Sequence, residues 1–193
     1  MPKIVDREAV RLDILMAFQR CIGKKPIDKI SLRDIATEAG MSHPKLLNYF
    51  ANKNEIIYTY IKYTQDFMSS HCQKWFRENR RDNFESNLEY LNAFMQYVAE
   101  GKEGELRPVA ASQTFVLGYY DQEIGGMVRR EFEDWHDTMS RCLQEACGEE
   151  LGRREAEALM YLCVGVMVCN YNRAISGEIN GDIIGRIARL AEN

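Results

Sequence analysis

Ser42, His43, Lys45 and Asn48 stand within seven consecutive positions and offer a hydroxyl, an imidazole, an ammonium and a carboxamide. That set suits nucleic-acid recognition. An ammonium serves a phosphate or a guanine edge, a carboxamide matches the two polar atoms of an adenine edge, and hydroxyl or imidazole donors reach phosphate oxygens. Ser31 upstream and Tyr49 and Lys53 downstream extend the set. The Tyr49 phenol serves either packing or a phosphate, and Lys53 either the DNA backbone or solvent. Elsewhere Asp and Glu fall mostly on expected solvent faces. They show no nucleophile–base spacing and no phosphate-binding glycine loop, so neither a catalytic residue nor a cofactor is expected. His71 and Cys72, being neighbours, leave different faces of a helix, and no metal site is expected. Six cysteines (Cys21, Cys72, Cys142, Cys147, Cys163 and Cys169) are too few for a staple framework and read as reduced, mostly buried thiols.

To present those donors, two short helices must cross. Ser31 offers an oxygen cap to the first, with Asp34 three residues on, and Gly40 stops it. Ser42 caps the second, and Pro44 falls in its first turn, where a missing amide costs little. Ala36 lies four residues before Gly40 and ten before Leu46, flanked by Ile35 and Ala39. A steep crossing needs this arrangement: a small residue at closest approach, a left-handed turn, and an apolar side chain filling the angle. The pair reads as a helix-turn-helix whose second helix enters a major groove, its first-turn amides toward phosphate. Phe50 reads as its anchor in the core.

Around this pair the apolar spacing predicts a helix over Arg7–Cys21, ended by Gly23 and the Lys24-Lys25-Pro26 stretch, and a long helix from Lys53 or Asn54 to Arg77. Further helices are predicted over Phe84–Ala99, Pro108–Tyr120, Gln122–Cys147, Arg153–Arg173 and Ile179–Leu190. Breaks are signalled at Gly101 and Gly104, at the Gly125-Gly126 pair, at Gly148 and Gly152, and at Gly177 with Gly181. No strand pattern competes. The expected fold is all-α, with a helix-turn-helix DNA-binding head over 1–52 joined to a larger helical body over 53–193.

Composition agrees with a packed chain: 46% of the 193 residues are apolar, 28% are charged and only four are proline. The longest apolar run, Ala158 to Cys169, has 12 residues, against about 20 needed to span a bilayer. With a charged start in place of a secretory segment, a cytoplasmic protein without a membrane partner is expected. The net charge of −4 hides an asymmetry. Residues 1–60 hold ten Lys or Arg against seven Asp or Glu, and the rest 15 against 22, which confines phosphate affinity to one end.

The stretch Ser31 to Ile56, with Ile35-Ala36, Ala39-Gly40-Met41-Ser42, Leu46, Asn48-Tyr49-Phe50 and Lys53-Asn54-Glu55, resembles the signature of the tetracycline-repressor-like (TetR) family of bacterial transcriptional regulators. The resemblance implies a homodimer on palindromic operator DNA, three-helix heads, and a helical body that senses a small molecule and commonly releases DNA on binding it. Two positions depart from the pattern. Pro44 stands where the family often has a small residue, and Leu47 where it often has a tyrosine that holds a phosphate. Backbone contact then falls to Lys45, Tyr49 and Lys53. A regulator acting through protein–protein contacts is the alternative that these departures favour.

For the body, Phe67, Phe94, Phe115, Tyr119, Phe132 and Trp135 read either as the wall of a cavity for an apolar or aromatic effector or as plain core, with His71, Gln113 and His136 to orient a ligand. The mostly apolar stretch Leu159–Cys169 needs neighbours on most sides. Leu162, Val166, Cys169 and Arg173, with Ile183 and Ile187 of the last helix, are the expected dimer contacts, and burial within a monomer is the alternative.

Overall fold

The Asp6 carboxylate accepts from the amides of Glu8 and Ala9 and so opens the first helix, α1 (Arg7–Ile22). The computed structural model describes residues 6–100, 108–148 and 153–172, with side chains except at 99–100, 108–112 and 166–172. After α1 come a 3₁₀ turn (Ile27–Lys29), α2 (Leu32–Glu38), α3 (His43–Leu47) and α4 (Lys53–Glu78). A second 3₁₀ turn (Arg81–Asn83) precedes α5 (Asn87–Glu100), α6 (Pro108–Tyr120), α7 (Gln122–Cys147) and α8 (Arg153–Asn172). No strand occurs among the described residues, and none of their helices is long and apolar enough to cross a membrane.

The chain packs as two units, one of 1–64 with 109–129, the other of 65–108 with 130–193. The first has a core of Ile14, Phe18, Ile35, Ala36, Leu46, Phe50, Tyr60 and Ile124, with Leu117 and Val128 packed against it. It is therefore larger than the 1–52 segment expected to form the head, because α6 and the start of α7 share its core. The Phe18 and Tyr60 rings meet edge to face at 5.4 Å, and the Tyr60 hydroxyl donates to buried Gln19 at 3.1 Å.

The Gly125-Gly126 pair does not break α7, contrary to the expectation. A Cβ on Gly125 would lie 2.4 Å from the carbonyl oxygen of Gly118, so glycine there permits α6 and α7 to cross backbone to backbone. Gly148, with φ +111°, does end α7, its amide donating to the Gln144 carbonyl at 3.0 Å.

The second unit is built on Cys72, Trp75, Tyr90, Phe94, Trp135, Met139, Leu143, Leu159 and Cys163. Its aromatic rings interlock, Trp75 with Tyr90 at 4.9 Å and with Phe94 at 5.1 Å, and Phe76 with Phe94 at 4.8 Å. Helix α5 begins at Asn87, not Phe84: Arg81 donates to the Phe84 carbonyl at 2.7 Å and to the Asn87 side chain, which holds the preceding segment in its turn. Cys21, Cys72 and Cys163 are buried free thiols, and Cys142 and Cys147 are partly buried. Burial raises the pKa of all five, that of Cys72 to about 12. The side chain of Cys169 and the predicted helix Ile179–Leu190 lie outside the described residues.

Candidate nucleic-acid interface

Ser31 caps α2 reciprocally: its hydroxyl accepts from the Asp34 amide at 3.2 Å, while its own amide donates to the Asp34 carboxylate at 2.7 Å. The Ser31 hydroxyl hydrogen bond, followed by Lys25 at 2.9 Å, holds the Asp34 carboxyl well below the usual carboxylate range. Ser31 thus spends its side chain on the helix start. Gly40, with φ +64°, makes the turn, and the Met41 amide returns to the Ala36 carbonyl at 2.9 Å. Ser42 then caps α3 by accepting from the Lys45 amide at 3.4 Å, with Pro44 in the first turn. Leu46, fully buried, fills the crossing angle beside Ile35 and Ala36.

This leaves Ser42, Lys45, Leu47 and Asn48 exposed and His43 partly so, all carried by one short helix. Asn48 closes that helix, and its carbonyl accepts from Arg7 at 2.9 Å. The Arg7 guanidinium lies 5.4 Å from the Tyr49 ring centre, and that of Arg11 4.0 Å from the Phe50 ring centre. Arg11 also donates to the Tyr49 carbonyl and pairs with Glu55 at 3.4 Å. Two arginines of α1 therefore fix the exit of α3, and the half-buried Tyr49 ring is part of that brace.

Lys53 is placed differently from the free phosphate contact its position suggested. Its ammonium donates to the carbonyls of Ile27, Asp28 and Ile30 at 3.1, 3.3 and 3.0 Å, and burial lowers its pKa despite the opposing pull of Asp28. Arg33, which sequence reasoning passed over, is exposed on α2 without a hydrogen bond or ion pair among the described residues. A basic residue in the turn after a capping serine was the available signal.

The residues expected around an effector fall in both units. Gln113 belongs to the head's unit, where its amide group donates to the Ile22 carbonyl at 3.1 Å and accepts from the Ile27 amide at 2.8 Å. Phe115 is partly buried on the same helix, and Tyr119 is 85% exposed. In the other unit His71 stacks between Phe67 (5.6 Å) and Tyr97 (4.4 Å) and shares a 3.0 Å hydrogen bond with the Tyr97 hydroxyl. Phe94 is in the interlocked core, Phe132 meets Trp135 edge to face at 5.9 Å, and the His136 ring bonds the Arg153 carbonyl at 2.8 Å. Of the expected dimer contacts, Leu162 is partly buried on α8. The side chains of Val166 and Cys169 and the whole of Arg173, Ile183 and Ile187 lie outside the described residues.

Residues 14–58 match the family described as bacterial regulatory proteins, tetR family. No curated protein matches the sequence. Among solved structures, GusR of Salmonella enterica superposes with a TM-score of 0.72 at 16% identity, over 99% of this chain and 100% of that one. A Rhodococcus sp. protein described as a TetR-family transcriptional regulator gives 0.64 at 16% identity over 91% and 95%. One from Mesorhizobium loti gives 0.61 at 12% over 86% and 96%. These likenesses establish the fold.

Proposed function

We propose that this chain, whose residues 14–58 match the tetR family of bacterial regulatory proteins, is a transcriptional repressor of that family. In this reading a homodimer binds palindromic operator DNA in the cytoplasm and leaves it when a small organic effector enters the helical body. The observation that carries the reading is the short, capped α3. Its apolar side is locked to α2 by buried Leu46, while Lys45 and Asn48 stay free toward solvent. A helix so held pays no ordering entropy for its backbone when it meets a groove, and its exposed groups are of the kinds that position on phosphate and read base edges.

Dimerisation follows from the size of that reader. One five-residue helix covers few base pairs, and two related by a twofold axis read both halves of a palindrome. Effector control requires unequal affinity of the effector for the DNA-compatible and DNA-incompatible states, since equal affinity shifts neither. Selection of genomic fragments followed by mobility-shift titration tests the reading: a palindromic duplex should be enriched and bound by the dimer. A folded dimer that enriches no duplex would instead support action through protein contacts.

A further inference from the structure

The second unit holds a cleft of about 640 Å³ where the end of α4, the turn Arg81–Asn83 and the second half of α7 face one another. Four guanidiniums line it, from Arg77, Arg80, Arg81 and Arg141, against two carboxylates, Asp82 and Glu145. The imbalance is two positive charges. Little inside the protein offsets it. Arg80 reaches Asp82 only at 3.7 Å, and Arg141 makes one long contact, 3.4 Å to the Thr138 hydroxyl. Arg77 has neither a hydrogen bond nor an ion pair among the described residues. Arg81 is the anchored member, tied to the Phe84 carbonyl and the Asn87 side chain.

Three observations bear on what enters. The volume falls within the roughly 300–1,000 Å³ usual for small-molecule sites. Guanidiniums present a planar fork that matches carboxylate and phosphate oxygens, and several converging on one space favour more than one anionic group. The partly buried Phe76 also lines the cleft and supplies apolar contact for a carbon skeleton. Arg77 lines the cleft from α4 and Arg141 from α7. A neighbouring cleft shares Arg141 but is balanced, since Asp134 and Asp137 face Arg141 and Arg153 there, and Arg153 is paired with Asp137 at 3.1 Å.

We propose that the arginine-lined cleft binds a small organic anion carrying two or more carboxylate or phosphate groups, and that this anion is the effector. The second half of the statement rests on the reading of the chain as an effector-controlled repressor; the binding site does not. The site lies beside the interlocked rings of Trp75, Phe76, Tyr90 and Phe94.

Calorimetric titration of the full chain at constant ionic strength, with citrate and fructose 1,6-bisphosphate as probes and triethyl citrate as the uncharged control, tests the site. At least one anion should bind saturably and the ester should not; which anion binds distinguishes carboxylate from phosphate recognition. Both Arg77 and Arg141 are exposed, so Arg77→Gln with Arg141→Gln should keep the helical circular dichroism and weaken binding by about tenfold or more. Arg141→Lys, which keeps the charge and loses the fork, should fall between. Absence of saturable binding by either anion, or equal affinity in the double variant, overturns the site. Operator titration with the bound anion then tests the second half: binding that leaves operator affinity unchanged removes the effector role and leaves the site. Failure to find an operator removes the repressor reading and leaves the calorimetry as it stands.

Discussion

Two lysines eight positions apart in the same head do different work. Lys45 is exposed on α3 and makes no side-chain bond among the described residues, whereas Lys53 is held by three carbonyls of the segment before α2. Lys45→Ala should weaken binding to all operators, reduce the salt dependence of log K by a slope of about 1, and leave the unfolding midpoint unchanged. Lys53→Met should instead destabilise the protein by about 1–2 kcal/mol in urea titration, because three carbonyls, two of them part-buried, lose their donor, and leave the salt slope alone. A lowered salt slope in the Lys53 variant would restore it as a phosphate contact. Asn48→Ala should relax base preference at one operator position, by roughly 1–3 kcal/mol if its contact is bidentate. Asp34 adds a pH signature. Because its folded pKa is depressed, its stabilisation is present above the ordinary aspartate pKa and disappears as pH falls through the depressed value. Wild type and Asp34→Asn should therefore differ in midpoint at neutral pH and converge in strong acid. The caps at Ser31 and Ser42 were legible in the sequence because each capping hydroxyl and the amide that donates to it lie three residues apart. The surroundings of Lys53 were not, since its partners lie 23 to 26 residues away.

Among the elements, α6 and α7 appeared in the sequence with their observed limits, Pro108–Tyr120 and Gln122–Cys147, yet what they pack on did not. Periodicity states that a face is buried and not against which partner. Gly125 shows the cost of that gap: as a local signal it suggests a break, while its reason is the Gly118 carbonyl on another helix. Gly125→Ala should force the crossing apart and cost about 1–3 kcal/mol. Gly165→Ala, on a site open within the chain, should on packing grounds gain part of the roughly 0.5–1 kcal/mol by which alanine exceeds glycine in a helix. Comparable effects of the two substitutions on monomer stability would count against the close crossing. Gln113 likewise joins residues 86 and 91 positions away, the first amide after Pro26 and the carbonyl ending α1. Truncation to alanine strands one donor and one acceptor, so Gln113→Ala should cost about 1–3 kcal/mol and speed hydrogen exchange at the Ile27 amide. Unchanged exchange at Ile27 would mean that the clamp does not restrain the head.

At the scale of the whole molecule, one exposed face of α8 stands without a partner among the described residues. Tyr161 is 71% exposed there, its hydroxyl donating to Glu157 at 3.1 Å, and Gly165 one turn on has nothing within 4 Å of a built Cβ. A large ring in water beside an open glycine is poor use of a helix in a monomer. It is the pattern that a second α8 crossing at Gly165 would cover. On the dimer reading each interface residue acts twice, so a single substitution introduces two changes near the twofold axis. Tyr161→Arg should place like charges there and shift sedimentation of the chain toward monomer while leaving its helical content intact. Gly165→Ala should also raise the dimer dissociation constant, even though it favours α8 in isolation. Both variants should lose affinity for a full palindrome far more than for a half-site, because each head still carries an intact α3. Variants that sediment as wild-type dimers and bind the palindrome with wild-type affinity would exclude this face of α8 from the interface.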